Sequence, residues 1–193
     1  MKKMEINHHT KQFCAHFGVV MPSLLLSSIA LAGGKSHKAH DHGVAQLSLV
    51  VEGQKVTAQF ESPSESIYGF EHEAKTPKDI EKRDTEVAKF TSQVADLFQF
   101  DASTGCKLSP SKVEPFVVES KEEKEEKHSK KEAVHSEVKV TWEGQCTAAA
   151  AGSKMKVGFL GVFKKLKKLN VQVMSGEKQS GKMIKKNNEV IDL

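Results

Sequence analysis

Two short runs of alternating apolar residues, separated by four residues that include a glycine, place the strongest constraint on how this chain can fold. In residues 44–51 and again in residues 56–61, every second position is apolar. A period of two puts these side chains on one face of a β-strand. Gly53 between the runs predicts a tight turn. We therefore expect an antiparallel hairpin that buries one face.

A longer pattern with helical spacing follows the hairpin. Thr76 can cap a helix, and Pro77 suits the first turn. Apolar residues then recur every three or four positions, at Val87, Phe90, Val94, Leu97 and Phe98. This spacing predicts the longest amphipathic helix, which ends at about Phe98 and packs on the sheet.

A shorter amphipathic helix is predicted over residues 159–169, where apolar residues alternate with four lysines. Residues 171–173 and 190–193 are typical of closing strands. The predicted fold class is α+β, with antiparallel β-sheet packed against one long and one shorter amphipathic helix. The two strand-then-helix runs also suggest two similar β/α halves, although no residue-level repeat supports this.

The first 32 residues have the order of a secretory signal peptide. Lysines precede an apolar run over residues 17–31, which closes on Ala30, Leu31 and Ala32. A membrane span is the alternative, but the run contains Pro22 and is shorter than the roughly 20 residues that a bilayer core requires. We expect cleavage after Ala32, export to the periplasm and no stable membrane span.

The rest of the chain divides by composition. Residues 33–43 are small and polar and are expected to be a flexible, histidine-containing segment. Residues 44–193 have the length of a single α+β domain. Within it, residues 121–137 are almost all charged or histidine, which predicts a solvated insertion. The net charge of +4 for the whole chain is mild and gives no case for nucleic-acid binding.

Two cysteines remain once the signal peptide is removed, because Cys14 lies within it. Cys106 and Cys146 form an even pair in an oxidising compartment, which predicts one disulfide. The alternative, two free buried thiols, would suit the cytoplasm better.

Histidines next to carboxylates are the candidate metal ligands, since imidazole and carboxylate suit zinc when thiolates are oxidised. They occur in the leading segment, before the long helix and in the charged insertion, as His37, His40, His42, Glu71, His72, His128 and His135. Each group has an alternative interpretation. The leading segment can be a soluble tail, His72 can hydrogen-bond to the backbone near its turn, and the insertion can be a solvated run of charges.

The choice of metal depends on where the signal peptide is cut. Cleavage after Gly34 instead of Ala32 would put His37 third from a free amine. That arrangement favours square-planar copper(II) or nickel(II) over zinc.

Catalytic motifs are missing from the sequence. We find no nucleophile elbow, no HExxH, no phosphate-binding glycine loop and no dinucleotide fingerprint. We therefore expect a binding protein and not an enzyme. Two alternatives stay open, an interaction or scaffold protein without a specific metal role and a hydrolase.

Three motifs in a fixed order carry a family resemblance. They are HDHGVA at residues 40–45, FESP at residues 60–63 and YGFEH at residues 68–72. Together with the cysteine pair, the charged insertion and the ending at residues 187–193, this order resembles the ZrgA-like family of exported zinc-binding proteins from Gram-negative bacteria.

The resemblance implies a periplasmic protein that captures or buffers zinc and assists a zinc importer. It also implies metal at His40, His42, Glu71 and His72, which lie within the shared motifs. This chain departs from the family in one respect. Its insertion is mostly lysine and glutamate, whereas relatives carry a tract rich in histidine and aspartate, so fewer ions are expected here.

Overall fold

The computed structural model describes residues 41–118 and 135–193. In this part of the chain there are nine strands. They are β1 (Val44–Glu52), β2 (Lys55–Pro63), β3 (Phe98–Phe100), β4 (Lys107–Val118), β5 (His135–Gln145), β6 (Lys154–Val157), β7 (Lys168–Ser175), β8 (Lys178–Ile184) and β9 (Glu189–Asp192). Four α-helices and a 3-10 helix at Ala102–Thr104 connect them, the α-helices being α1 (Ser64–Tyr68), α2 (Pro77–Ser92), α3 (Val94–Leu97) and α4 (Phe159–Val162).

Several sequence predictions fall outside these residues. They concern the signal peptide and its cleavage, the leading segment with His37 and His40, and the charged insertion up to residue 134 with His128. They remain predictions. None of the helices that are described has the length and apolar character needed to cross a membrane.

Six strands form the larger sheet, in the order β4-β5-β2-β1-β7-β8. Neighbours are antiparallel except β1 and β7, which run parallel. The predicted hairpin is confirmed. β1 pairs with β2 up to Glu52 and Lys55, and Gly53 turns the chain with a φ of 60° that glycine adopts without strain.

The core lies against one face of this sheet, where every second residue of β1, β2, β5 and β7 is buried. Aromatic rings fill it. The Phe60 ring lies 5.3 Å from Phe90 and 5.0 Å from Phe159, and Trp142 meets Phe98 edge-on at 5.0 Å. The indole N–H of Trp142 donates to the Phe90 carbonyl at 3.0 Å, so its polar atom is satisfied.

The α+β prediction is wrong, because the part of the chain that the structure describes is mostly β, with nine strands arranged as two sheets. The second sheet has three strands in the order β3-β6-β9. The strands do not form two β/α halves, and the sheet is not covered by a long amphipathic helix. Only Phe90 of α2 is fully buried.

Both predicted helices end earlier than expected. The first starts as predicted, since Thr76 Oγ1 accepts a hydrogen bond from the Asp79 N–H at 3.2 Å, but it stops at Ser92. Phe98 begins β3 instead. The second helix stops at Val162, and Leu169 lies in β7. Tertiary burial of Phe163 and Leu166 explains the apolar spacing there without a helix.

The predicted disulfide between Cys106 and Cys146 is confirmed. The two cysteines adjoin the paired residues Lys107 and Gln145, so the bond closes one end of the β4–β5 ladder. At the other end of this ladder Val118 pairs with His135. The last three residues of the predicted insertion, 135–137, therefore begin β5.

Candidate metal centre

Three of the predicted ligands come together beside the N-terminal ends of β1 and β5 in the six-stranded sheet. His42 immediately precedes β1, Glu71 follows α1, and His135 is the first residue of β5. Distances of 3.7 Å from His42 Nε2 to Glu71 Oε1 and 2.7 Å from His135 Nδ1 to Glu71 Oε2 join them. Glu71 thus lies between two imidazoles.

The backbone beside His42 is held by two other elements. Gly43 has a φ of 82°, which favours glycine. Its N–H donates to Ser66 Oγ at 2.8 Å, and its carbonyl accepts from the N–H groups of Lys167 and Lys168 at 2.8 and 3.0 Å. These bonds fix the start of β1 against α1 and β7, and so they position His42.

Glu71 is positioned by the end of α1 and by β5. Gly69, with a φ of 90°, ends α1 and turns the chain toward Glu71. The Ser136 hydroxyl then donates to the Glu71 carbonyl at 2.8 Å. The Glu71 side chain is only 14% exposed. Its carboxylate is thus held between the two histidines and is mostly buried.

The two oxygens of this carboxylate are not equivalent. Oε2 accepts a hydrogen bond from His135 Nδ1. Oε1 is buried and has no hydrogen-bond partner among the residues that the structure describes. A buried carboxylate oxygen without a partner is costly, since it has lost water without compensation.

The separation of His42 Nε2 from Glu71 Oε1 has a chemical meaning. At 3.7 Å it is longer than an N–H···O hydrogen bond, which spans about 2.7 to 3.2 Å. Nitrogen and oxygen ligands lie about 2.1 Å from zinc, so two tetrahedral ligands of one ion are roughly 3.4 Å apart. The pair is thus close to the spacing of two atoms that share a cation.

Glu65 also belongs to this cluster, although the sequence analysis did not identify it. Its Oε2 lies 3.3 Å from His42 Nδ1, on the other nitrogen of the ring. Its place in the first turn of α1, two residues after Pro63 and six residues before Glu71, is the sole sequence signal. The position of Glu65 in the sequence indicates a contact with His42 only once α1 is known to lie beside Gly43.

These contacts do not make a complete metal site. Within residues 41–118 and 135–193, no three His, Cys, Asp or Glu side chains form a group that could hold a metal ion. The reason is visible in the pairing, because each His42 nitrogen faces a different carboxylate. Two atoms, His42 Nε2 and Glu71 Oε1, face one another and could share a single ion.

His72 is directed elsewhere. Its ring stacks on Phe70, with centroids 4.6 Å apart and planes 15° from parallel. Its Nδ1–H donates to the Glu73 carbonyl at 3.1 Å. This geometry corresponds to the alternative in which His72 satisfies a backbone group near the turn.

Charges further along β5 are balanced locally. Glu137 is buried, and Lys139 lies 3.4 Å from both Glu137 Oε2 and Glu61 Oε1. Burial alone would lower the pKa of Lys139, but attraction to Glu61 and Glu137 outweighs it and raises the pKa above the usual 10.5. Lys139 therefore stays a cation and offsets these two carboxylates.

No curated protein matches the chain. The model of a family described as ZrgA family zinc uptake protein matches residues 39–193, which include all the residues of the candidate centre. On the strength of a match over most of its length, this chain belongs to the ZrgA family of zinc uptake proteins.

Proposed function

We propose that this chain is an exported periplasmic protein that captures or buffers zinc and assists a zinc importer, without enzymatic activity. The observation that carries the proposal is His42 Nε2 facing Glu71 Oε1 in a member of a zinc uptake family, where Oε1 is buried and has no hydrogen-bond partner within residues 41–118 and 135–193. A divalent cation would satisfy that oxygen and offset the cost of its burial.

In this proposal His42 Nε2 and Glu71 Oε1 are direct ligands, and their neighbours orient them. A histidine that binds metal usually donates its other N–H to a carboxylate, and Glu65 stands in that position. Ligating carboxylates are themselves hydrogen-bonded, as Glu71 is to His135. His40, two residues before His42, and water are the proposed further ligands.

Zinc is favoured by the donor types. A site of imidazole nitrogen and carboxylate oxygen suits zinc, and both cysteines of residues 41–193 are held in the disulfide. Copper(II) or nickel(II) would be favoured only by the alternative terminus that begins at Lys35. The disulfide and the signal-peptide pattern support a periplasmic location.

The geometry suits capture and release more than permanent storage. One of the two direct ligands is open to solvent, since the His42 side chain is 57% exposed. Zinc needs neutral imidazole, so protons compete with it. Zinc affinity should therefore fall as the pH drops through about 6 to 7.

Calorimetric titration of metal-stripped protein without a histidine tag tests the zinc site. We expect uptake at micromolar zinc, weakened at least roughly tenfold by His42→Ala and by Glu71→Gln. His72→Ala is the matched control and should change the affinity by less than about threefold. No uptake by the wild-type protein would refute the proposal, and a His72 effect larger than that of His42 would refute the ligand assignment.

Two further measurements test the cellular role. Mass spectrometry of protein recovered from the periplasm should show a terminus at Gly33. A strain that lacks the protein should grow poorly under zinc chelation and should be rescued by wild type but not by Glu71→Gln. Rescue by this variant would show that zinc binding at Glu71 is not what assists uptake.

A further inference from the structure

Two lysines border the proposed zinc centre and are not explained by zinc binding. Lys165 Nζ lies 3.8 Å from Glu65 Oε1. Lys82 Nζ lies 5.9 Å from the centre of the Phe70 ring. Both ammonium groups approach Gly69, since a Cβ there would lie 3.1 Å from Lys82 Nζ and 3.2 Å from Lys165 Nζ. A cation-binding centre is thus bordered by cations.

Lys165 is held in this position by the backbone. The next residue, Leu166, is buried, and its N–H donates to the Phe163 carbonyl at 3.1 Å. The Lys167 N–H donates to Gly43, the residue after His42. The turn that carries Lys165 is therefore tied both to the core and to the segment that carries His42.

Gly69 determines the path of the Lys165 side chain. A Cβ at Gly69 would lie 2.6 Å from Lys165 Cε, so the lysine stem passes directly over this glycine. Gly69 already requires glycine through its φ of 90°, and the lack of a side chain leaves room for the stem. The ammonium is brought to Glu65 Oε1, while the other oxygen, Oε2, faces His42.

We propose that Lys165 sets the zinc affinity of the centre by acting as a built-in counter-cation to Glu65. This inference rests on the proposed zinc site at His42 and Glu71. Without zinc, Lys165 partly neutralises Glu65 and limits the repulsion between the Glu65 and Glu71 carboxylates. With zinc, the same positive charge repels the ion, so the site binds less tightly and releases zinc more readily.

Lys165 would have the opposite effect, and would strengthen zinc binding, if it held Glu65 in place. The contact is weak in that respect, because 3.8 Å is a long ion pair and the side chains are 48% and 31% exposed. Repulsion between a lysine and a divalent ion acts over a longer range than a contact does. Removal of the charge should therefore raise the zinc affinity.

The test compares zinc affinities of Lys165→Met, Lys165→Arg and wild type by competition with a chromogenic chelator. Methionine keeps the packing over Gly69 and removes the charge. We expect Lys165→Met to bind zinc about three- to fivefold more tightly at 0.01 M salt, where the Debye length is about 30 Å. Lys165→Arg keeps the charge and should stay within about twofold of wild type.

Lys164→Met is the matched control, because it removes the same charge one residue away, in a cleft with Gln93 and Asn187. Its effect should be less than twofold, and the Lys165 effect should shrink at about 0.5 M salt. Equal affinities for Lys165→Met and wild type, or equal effects of Lys165→Met and Lys164→Met, would overturn this inference alone. No zinc uptake by any variant would overturn the zinc site as well.

Discussion

The two ends of the β4–β5 ladder are built in opposite ways. One end is closed covalently by Cys106 and Cys146, next to the pair Lys107 and Gln145. At the other end β5 begins with His135 and Ser136, which contact Glu71 through non-covalent hydrogen bonds. The first end is permanent in an oxidising compartment, whereas the second can exchange its partners.

This difference separates stability from function within a single pair of strands. A disulfide constrains the unfolded chain and needs no ligand. The polar end keeps a buried carboxylate oxygen unpartnered among the described residues, which is unfavourable unless a ligand satisfies it.

The largest effect is expected from the covalent end. Replacing Cys106 and Cys146 together by serine opens a loop with a sequence separation of 40 residues. The chain-entropy relation gives a loss of about 4 kcal/mol in the free energy of unfolding. Chemical denaturation should show this loss, while zinc affinity, measured under conditions where the variant is folded, should change by less than about threefold. A tenfold loss of zinc affinity would show that the two ends of the ladder are not independent.

A smaller effect is expected from Glu65 at the polar end. Glu65→Gln removes the carboxylate that faces His42 Nδ1, and loss of such an orienting group typically weakens metal binding 10- to 100-fold. We expect a loss of about tenfold in zinc affinity, measured by calorimetry, with little change in stability. Glu73→Gln is the control, since Glu73 pairs with Lys75 in an exposed position. Equal effects of the two variants would contradict the role of Glu65.

Ser136 tests how the polar end is held. Ser136→Ala leaves the Glu71 carbonyl without the hydroxyl that donates to it. We expect a loss of about 1 kcal/mol in the free energy of unfolding and about threefold in zinc affinity. Ser111→Ala is a suitable control, because its hydroxyl donates at 3.3 Å in an exposed position on β4. A loss of stability without any change in zinc affinity would show that Ser136 does not position Glu71.

The smallest effect is expected far from both ends, at Glu189. Hydrogen bonds from the N–H groups of Lys185 and Lys186 lower the pKa of Glu189 below its usual 4.5. A lowered folded-state pKa adds stability that is present above pH 4.5 and is lost as the pH falls through the folded-state value. Glu189→Gln should remove this pH-dependent contribution to stability. Thermal melts between about pH 3 and pH 6, a range that brackets the usual carboxyl pKa, would show the loss. An unchanged pH profile would contradict it.

The sequence predicted the regular parts of the fold because their signals are local. The β1–β2 hairpin has strict alternation and a glycine at its turn, and the capped start of α2 has Thr76 and Pro77 in order. The fold class could not be predicted correctly because β4 and β8 are edge strands. β4 contains Pro110 and Pro115, which disfavour a strand in a sequence pattern, and β8 is exposed at every position but its last.

The candidate centre was predicted in part for the same reason. His42, Glu71 and His135 were candidates because histidine next to carboxylate is a local signal. Glu65 was not, because its contact with His42 depends on the bonds of Gly43 to Ser66 and to the turn before β7. The orientation of His72 onto Phe70 likewise follows from packing that spacing alone cannot reveal.

Anomalous diffraction at the zinc edge, from crystals grown in the presence of zinc chloride, tests the central claim most directly. We predict a strong peak about 2.1 Å from both His42 Nε2 and Glu71 Oε1, with Glu65 and His135 not bound to the zinc directly. A map with no peak between these two atoms, in a protein that has bound zinc elsewhere, would contradict the account.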